Sequence, residues 1–201
     1  MSIRTWVSKF LLAMVFCGAV SVVAQEEATQ ATQHDGSWFI GGGYLGLDSE
    51  VTDPQGVGSG GFVLDMGYTG IVNNNFRYSV GFYLPFLSDD DSFNQRVEDQ
   101  FGSRSTESSD ISAMGVLGEL GYQHALNEKT SFSLSAGFRT LSADREIASC
   151  SNCMSEGLNL AGGGYLRPAI VFHGETVDVE IAAMTFLSGD MTNGFMVNVL
   201  F

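Results

Sequence analysis

The sequence predicts an all-β fold: an eight-stranded antiparallel up-and-down barrel whose strands are long enough to cross a bilayer. Three observations predict it. Apolar residues recur at every second position in successive segments, the period of a strand with two unlike faces. One of those faces is almost free of charge, while the other carries acids and arginines. The connections between segments alternate between short and mostly long. Composition agrees: of 201 residues, 44 % are hydrophobic and 11 % aromatic, which excludes a disordered chain. With 9 basic residues against 23 acidic ones, nucleic acid is excluded as a partner, because phosphate binding needs clustered Lys and Arg.

The chain opens with a targeting segment. Arg4 and Lys9 precede an apolar run over 10–23, and Val22 and Ala24 put small residues before a cleavage point ahead of Gln25. Residues 1–24 therefore read as a secretory signal peptide; the run is shorter than the ~20 residues a spanning helix needs. Phe16 before Cys17 argues against lipoprotein processing. Residues 25–36 are polar and aperiodic, a periplasmic lead-in, and the barrel domain is expected over 37–201.

The strands follow in order. The first, 37–47, is rich in Gly and aromatics, with an ambiguous facing. The second alternates Phe62, Leu64, Met66 and Tyr68 against Val63, Asp65 and Gly67; the third alternates Phe76, Tyr78, Val80, Phe82, Leu84 and Phe86 against Arg77, Ser79, Gly81, Tyr83 and Pro85. The fourth sets Met114, Val116, Leu120 and Tyr122 against Leu117 and Glu119, and the fifth sets Phe132, Leu134, Ala136 and Phe138 against Ser133, Ser135 and Arg139. The sixth, 158–172, places Leu158, Leu160, Leu166, Ile170 and Phe172 opposite Asn159, Tyr165 and Arg167; Pro168 cannot donate to a ladder, so a bulge is expected there. The seventh sets Val177, Val179 and Ile181 against Asp178 and Glu180, and the eighth puts Phe195, Val197, Val199 and Phe201 on one face. Segments of ~8–15 residues suit bilayer-crossing strands. The connections 69–75, 125–130 and 173–174 form the short set; 48–59, 87–110, 144–157 and 188–193 form the other.

In a membrane barrel the apolar face meets lipid and the charged face turns inward. The inward set is Asp65, Arg77, Glu119, Arg139, Arg167, Asp178 and Glu180. Eight strands enclose an interior that side chains can fill, and buried charges need partners, so a plugged ionic lumen is expected. A two-residue turn at 173–174 sets Arg167 directly opposite Glu180 and Ile170 opposite Val177. A three-residue turn at 127–129 makes Glu119 and Arg139 diagonal neighbours. The rival arrangement is a soluble sandwich or lipocalin-like barrel with the apolar face inside.

Motifs with chemical potential are few. Residues 41–46 (GGGYLG) match G-x-G-x-x-G, but a polar loop follows where a dinucleotide site needs a helix, so no cofactor is expected. Cys150 and Cys153 form a C-x-x-C in a long connection, and an exported chain favours a small loop disulfide there. Asp89, Asp90 and Asp91 are a weak candidate for a hard divalent metal; the plainer reading is a solvated acidic run. The histidines are His34, His124 and His173, and none falls near the outer leaflet, where a lipid-modifying Ser–His–acid site would sit. The chain is therefore read as a non-enzyme.

Residues 37–46 (SWFIGGGYLG) and 194–201 (GFMVNVLF) carry a resemblance. The first resembles the aromatic, Gly-rich opening strand of the small eight-stranded outer-membrane barrels of the OmpA, OmpX and opacity-protein type. The second resembles their C-terminal assembly signal, here Phe195, Val197, Val199 and Phe201. The resemblance implies a monomer in the outer membrane of a Gram-negative bacterium, with both ends periplasmic and without OmpA's periplasmic domain. It implies membrane lipid, lipopolysaccharide and the barrel-assembly machinery as partners. The expected role is structural or surface-interacting, through acidic outer loops. A narrow OmpW-like channel or carrier for ions or small hydrophobic molecules is the alternative, and a lipid-modifying enzyme the less favoured third.

Overall fold

The computed structural model describes residues 34–101, 109–147 and 154–201. The expected signal peptide, most of the expected lead-in, and Cys150 and Cys153 with their expected disulfide lie outside the described residues. The strands are β1 (His34–Leu47), β2 (Val57–Val72), β3 (Phe76–Asp89), β4 (Ser109–Asn127), β5 (Thr130–Arg139), β6 (Ser142–Ile147), β7 (Ser155–Gly157), β8 (Gly163–His173), β9 (Asp178–Phe186) and β10 (Met191–Leu200). Helix α1 (Ser49–Thr52), a 3₁₀ turn (Asp53–Gln55) and helix α2 (Ser92–Phe101) lie between them.

Eight of these strands close a ring. Each consecutive pair is antiparallel, β5 runs beside β8, and β10 returns to β1. Paired bonds between Trp38 and Phe201, both 2.9 Å, complete the seam. Closure removes the exposed edges that an open sheet would present. β6 and β7 are not separate staves. β6 resumes the line of β5 after a break at 140–141 and pairs with the first residues of β4, and β7 pairs with β6. The barrel wall thus rises into a small sheet at the end carrying the longer connections, called here the long-loop end; the opposite end is the short-turn end.

The alternation sorts side chains as the pleat requires. Trp38, Ile40, Phe62, Phe82, Phe86, Leu120, Phe138 and Phe195 point outward and are exposed. β1 resolves its ambiguity with Phe39, Leu45 and Leu47 inward. Inside, the long-loop half is filled by an apolar cluster that includes Leu45, Val63, Tyr83, Leu160, Met184 and Met196. The half below it is polar, with Ser131, Ser133, Ser135, Thr69 and the ionic side chains.

Several expectations need correction. β1 begins at His34, so His34, Asp35 and Gly36 pair with Val72, Ile71 and Gly70 and are not lead-in. The 69–75 connection shrinks to 73–75, because Asn73 and Asn74 adopt φ of 53° and 65°, a turn conformation asparagine tolerates. Residues 158–162 are not strand, and Leu160 is buried in the apolar cluster, not turned to the outside. The turn after β8 spans 174–177 and is not a two-residue hairpin. His173 pairs with Asp178 and Ile170 with Ile181, since Asp178 captures the Gly174 N–H at 3.2 Å and fixes the longer turn. Pro168 makes no bulge. The β8–β9 ladder skips its position and resumes in the same register on either side, losing a bond without a shift. No helix among the described residues is long and apolar enough to cross a membrane.

Candidate functional site: ionic lumen and loop hub

The lumen network is built from inward positions on β2, β3, β4, β5, β8, β9 and β10. Asp65, Arg77, Glu119, Arg139, Arg167 and Glu180 are all buried, giving three carboxylates and three guanidinium groups among the described residues. Arg139 Nη2 lies 2.6 Å from Asp65 Oδ2, with its guanidinium 4.8 Å from the Tyr83 ring and 5.6 Å from the Tyr165 ring. Glu180 takes both Arg77 and Arg167 as ion-pair partners and accepts from Asn198 Nδ2 at 3.0 Å. Arg167 also reaches Glu119 at 3.5 Å, and Glu119 accepts from the Tyr165 hydroxyl at 2.6 Å. A cavity of about 10 Å³ lies among these groups, hardly room for one water molecule.

The pairing differs in detail from the sequence expectation. Arg167 and Glu180 do meet, but diagonally: Glu180 stands across from Val171. Glu119 stands across from Gly137, which makes it a diagonal neighbour of Arg139, yet Arg139 turns to Asp65 and Glu119 to Arg167. Asp178 is outside the network. At the short-turn rim its Oδ2 lies 2.8 Å from His173 Nδ1, and His173 Nε2 lies 2.7 Å from Ser131 Oγ. Asn198, Tyr83 and Tyr165 were not singled out from sequence, although each sits at an inward position of the period-two pattern.

A second buried cluster sits at the long-loop end, where only surface loops were expected. Arg145 on β6 is fully buried. Its Nε lies 2.9 Å from Asp89, its Nη1 3.4 Å from Glu156, and its Nη2 donates to the Gln55 carbonyl at 2.5 Å. The Phe93 ring of α2 lies 5.7 Å from the guanidinium, and Phe93, Val97 and Ile147 pack together. Gln55 in turn bonds Asn159, and Arg96 reaches Glu156 at 2.8 Å. Three connections are thereby gathered on one cation. The connection 48–59 holds part of this hub through Gln55. The three consecutive aspartates do not converge: Asp89 is engaged by Arg145 and Ser109, Asp90 accepts from the Ser92 N–H, and no group of metal-ligating side chains occurs among the described residues. The Ser92 bonds hold the Asp90 carboxyl below its ordinary range.

The exterior decides the setting of this ring. Near the short-turn end Trp38, Tyr68 and Tyr78 form a contiguous aromatic group, with ring centroids 5.5 and 6.3 Å apart, and Tyr122 is exposed beside them. Near the long-loop end Tyr44, Phe62 and Phe86 form another, with Phe62 and Phe86 at 6.0 Å. Between the two groups the outward side chains include Ile40, Met66, Phe82, Val116, Leu64 and Leu84. Six residues along β1 separate Trp38 from Tyr44, or ~20 Å at strand rise, and aromatic girdles flanking an apolar band of ~25 Å mark a lipid-facing barrel. This is the architecture of a small outer-membrane β-barrel. No protein-family model matches the chain, and no curated protein sequence does. Among solved structures the barrel is similar to Neisserial surface protein A at 11 % identity, covering 84 % of this chain and 95 % of that one, with a TM-score of 0.49. It is also similar to Ail, the attachment invasion locus protein of Yersinia pestis, at 11 % identity over 82 % of this chain and 95 % of that one, with a TM-score of 0.46.

Proposed function

We propose that this barrel resides in a bacterial outer membrane with its long-loop end outside and both chain ends periplasmic, and that it acts there as a structural and surface-contact protein. The observation that carries the reading is the division of labour along its axis. The lumen is filled, first by ion pairs and then by an apolar cluster, while the long-loop end is held in one shape by Arg145. A filled interior favours contact over transport, and a pre-ordered surface lowers the entropic cost of binding. Glu50, Asp53, Asp91, Asp110, Asp144 and Glu146 are exposed around that end, an acidic surface suited to partners bridged by divalent cations, lipopolysaccharide among them.

Orientation and surface role are tested together on intact cells. In a chain with Cys150 and Cys153 changed to Ser, Glu50→Cys should react with a membrane-impermeant maleimide and Glu175→Cys should not. The opposite pattern would overturn the reading. Binding to lipopolysaccharide vesicles should weaken when magnesium is chelated, and more so in Arg145→Ala. Binding indifferent to both changes would remove lipopolysaccharide from the proposal.

A further inference from the structure

The short-turn end holds a cluster that the surface role leaves unused. Ser131 on β5, His173 at the end of β8 and Asp178 at the start of β9 form a continuous hydrogen-bonded chain, 2.7 Å from Ser131 Oγ to His173 Nε2 and 2.8 Å from His173 Nδ1 to Asp178 Oδ2. The backbone fixes both partners of the serine. His173 N donates to the Lys129 carbonyl at 2.9 Å, and Asp178 Oδ1 accepts from the Gly174 N–H at 3.2 Å. With the ring proton on Nδ1 facing the carboxylate, the Nε2 lone pair faces the serine hydroxyl. That is the order nucleophile, base, orienting acid. His173 and Asp178 also line a cavity of about 250 Å³ that opens at this end, with Arg77 and Gln123, and Ser131, which is not among its lining residues, joins it through its bond to His173. Arg77 Nη1 lies 3.3 Å from Ser133 Oγ, one inward position along β5 from Ser131. Its charge is taken up by Glu180, so Arg77 stands here as part of the cavity wall.

We infer that Ser131, His173 and Asp178 form a hydrolytic site at the short-turn mouth, acting on small carboxylic esters. The cavity is smaller than the ~300–1,000 Å³ of drug-sized sites, which favours a small substrate with a short acyl group. In the first half-reaction His173 Nε2 takes the Ser131 hydroxyl proton as Oγ bonds to the ester carbonyl carbon. The carbon–oxygen bond to the alcohol then breaks, and the alcohol oxygen receives the proton from Nε2. In the second half-reaction water gives a proton to Nε2 and attacks the acyl carbon. The carboxylic acid leaves and Oγ recovers its proton. The net change is ester plus water to acid plus alcohol. A site at this mouth stands apart from the far leaflet, where a lipid-modifying Ser–His–acid site would need its histidine.

Ser131 is only 3 % exposed, so the probe must be small. Detergent-folded protein is treated with diisopropyl fluorophosphate and the adduct mapped by mass spectrometry, and p-nitrophenyl acetate hydrolysis is followed in parallel. The expected result is an adduct on Ser131 and hydrolysis well above that of the boiled protein. Ser131→Ala should abolish the adduct, and His173→Gln should lower both labelling and hydrolysis by ~100-fold or more. Asp178→Asn should lower them while the variant keeps its heat-shifted gel migration. Should Ser131→Ala fail to fold, His173→Gln and the position of the mapped adduct decide. A folded wild-type protein that takes no adduct and hydrolyses no faster than its boiled form would overturn the inference. So would equal labelling in His173→Gln, which would leave the three residues as a tie between strand ends.

Discussion

At the residue scale the lumen charges behave as two different objects. Asp65 and Arg139 form a near-isolated pair stacked between Tyr83 and Tyr165. Asp65→Ala should therefore destabilise the barrel by ~3–5 kcal/mol, the cost of leaving a buried cation unpaired, and Asp65→Leu with Arg139→Met should recover most of it. Denaturant titration in detergent measures both. Glu180 is shared by Arg77 and Arg167, so Arg167→Ala leaves it one partner and should cost less than Glu180→Ala, which leaves two cations exposed to each other. A double change of Arg167 and Glu180 to Ala should be worse than Arg167→Ala alone, because Arg77 is then stranded. The inward identity of these residues was legible from the period of two. Their partners were not, because partner choice turns on side-chain reach across four strands and not on strand order.

At the element scale the legible features were the strand faces and the hairpin succession; the illegible ones were turn lengths and everything beyond the rim. Asp178 looked like a lumen carboxylate because a two-residue turn was assumed. The four-residue turn at 174–177 carries it to the rim and sets it against His173, which is also why the Ser131 cluster could not be read in advance. Likewise 144–147 reads as the start of a loop because the break at Thr140 interrupts the alternation, yet the strand resumes over Ser142–Ile147 and delivers Arg145 to the hub. Arg145→Ala should release α2 and the 49–55 segment, so that amide exchange in both speeds up while the β1–β10 and β4–β5 ladders keep their protection. Unchanged exchange in α2 would show that Phe93, Val97 and Ile147 hold the helix without the cation. The lowered Asp90 carboxyl adds a pH dependence to the same element. Its contribution is present above the ordinary aspartate value near 3.9 and is lost as pH falls through the lowered one, so α2 should keep its place at mildly acidic pH.

At the scale of the whole molecule the ring predicts its own handling. The exposed apolar band requires detergent for extraction, and the folded form should migrate faster than the boiled form on an SDS gel. Full solubility without detergent would contradict the lipid-facing exterior. Planar bilayers holding the protein should show no discrete conductance steps, since the polar cavity is about 10 Å³ and an apolar cluster closes the path above it. Steady steps would require the lumen side chains to part, and would favour the narrow-channel alternative.

The sequence distances within the ionic network bear on how the barrel is put together. Arg167 and Glu180 are 13 residues apart on one hairpin, so that hairpin neutralises two of its charges as it forms. Asp65 and Arg139 are 74 residues apart, and their strands are three places apart in the ring, with β3 and β4 between. Each remains an open charge until the intervening staves are in position. The loss of entropy in bringing them together falls late, when the sheet curls shut. Stave order is thus checked electrostatically at the final step: a sheet that closes with a strand missing or slipped traps an unmatched charge in its interior. The barrel's interior serves as a proofreading device for its own assembly, spent once, at closure.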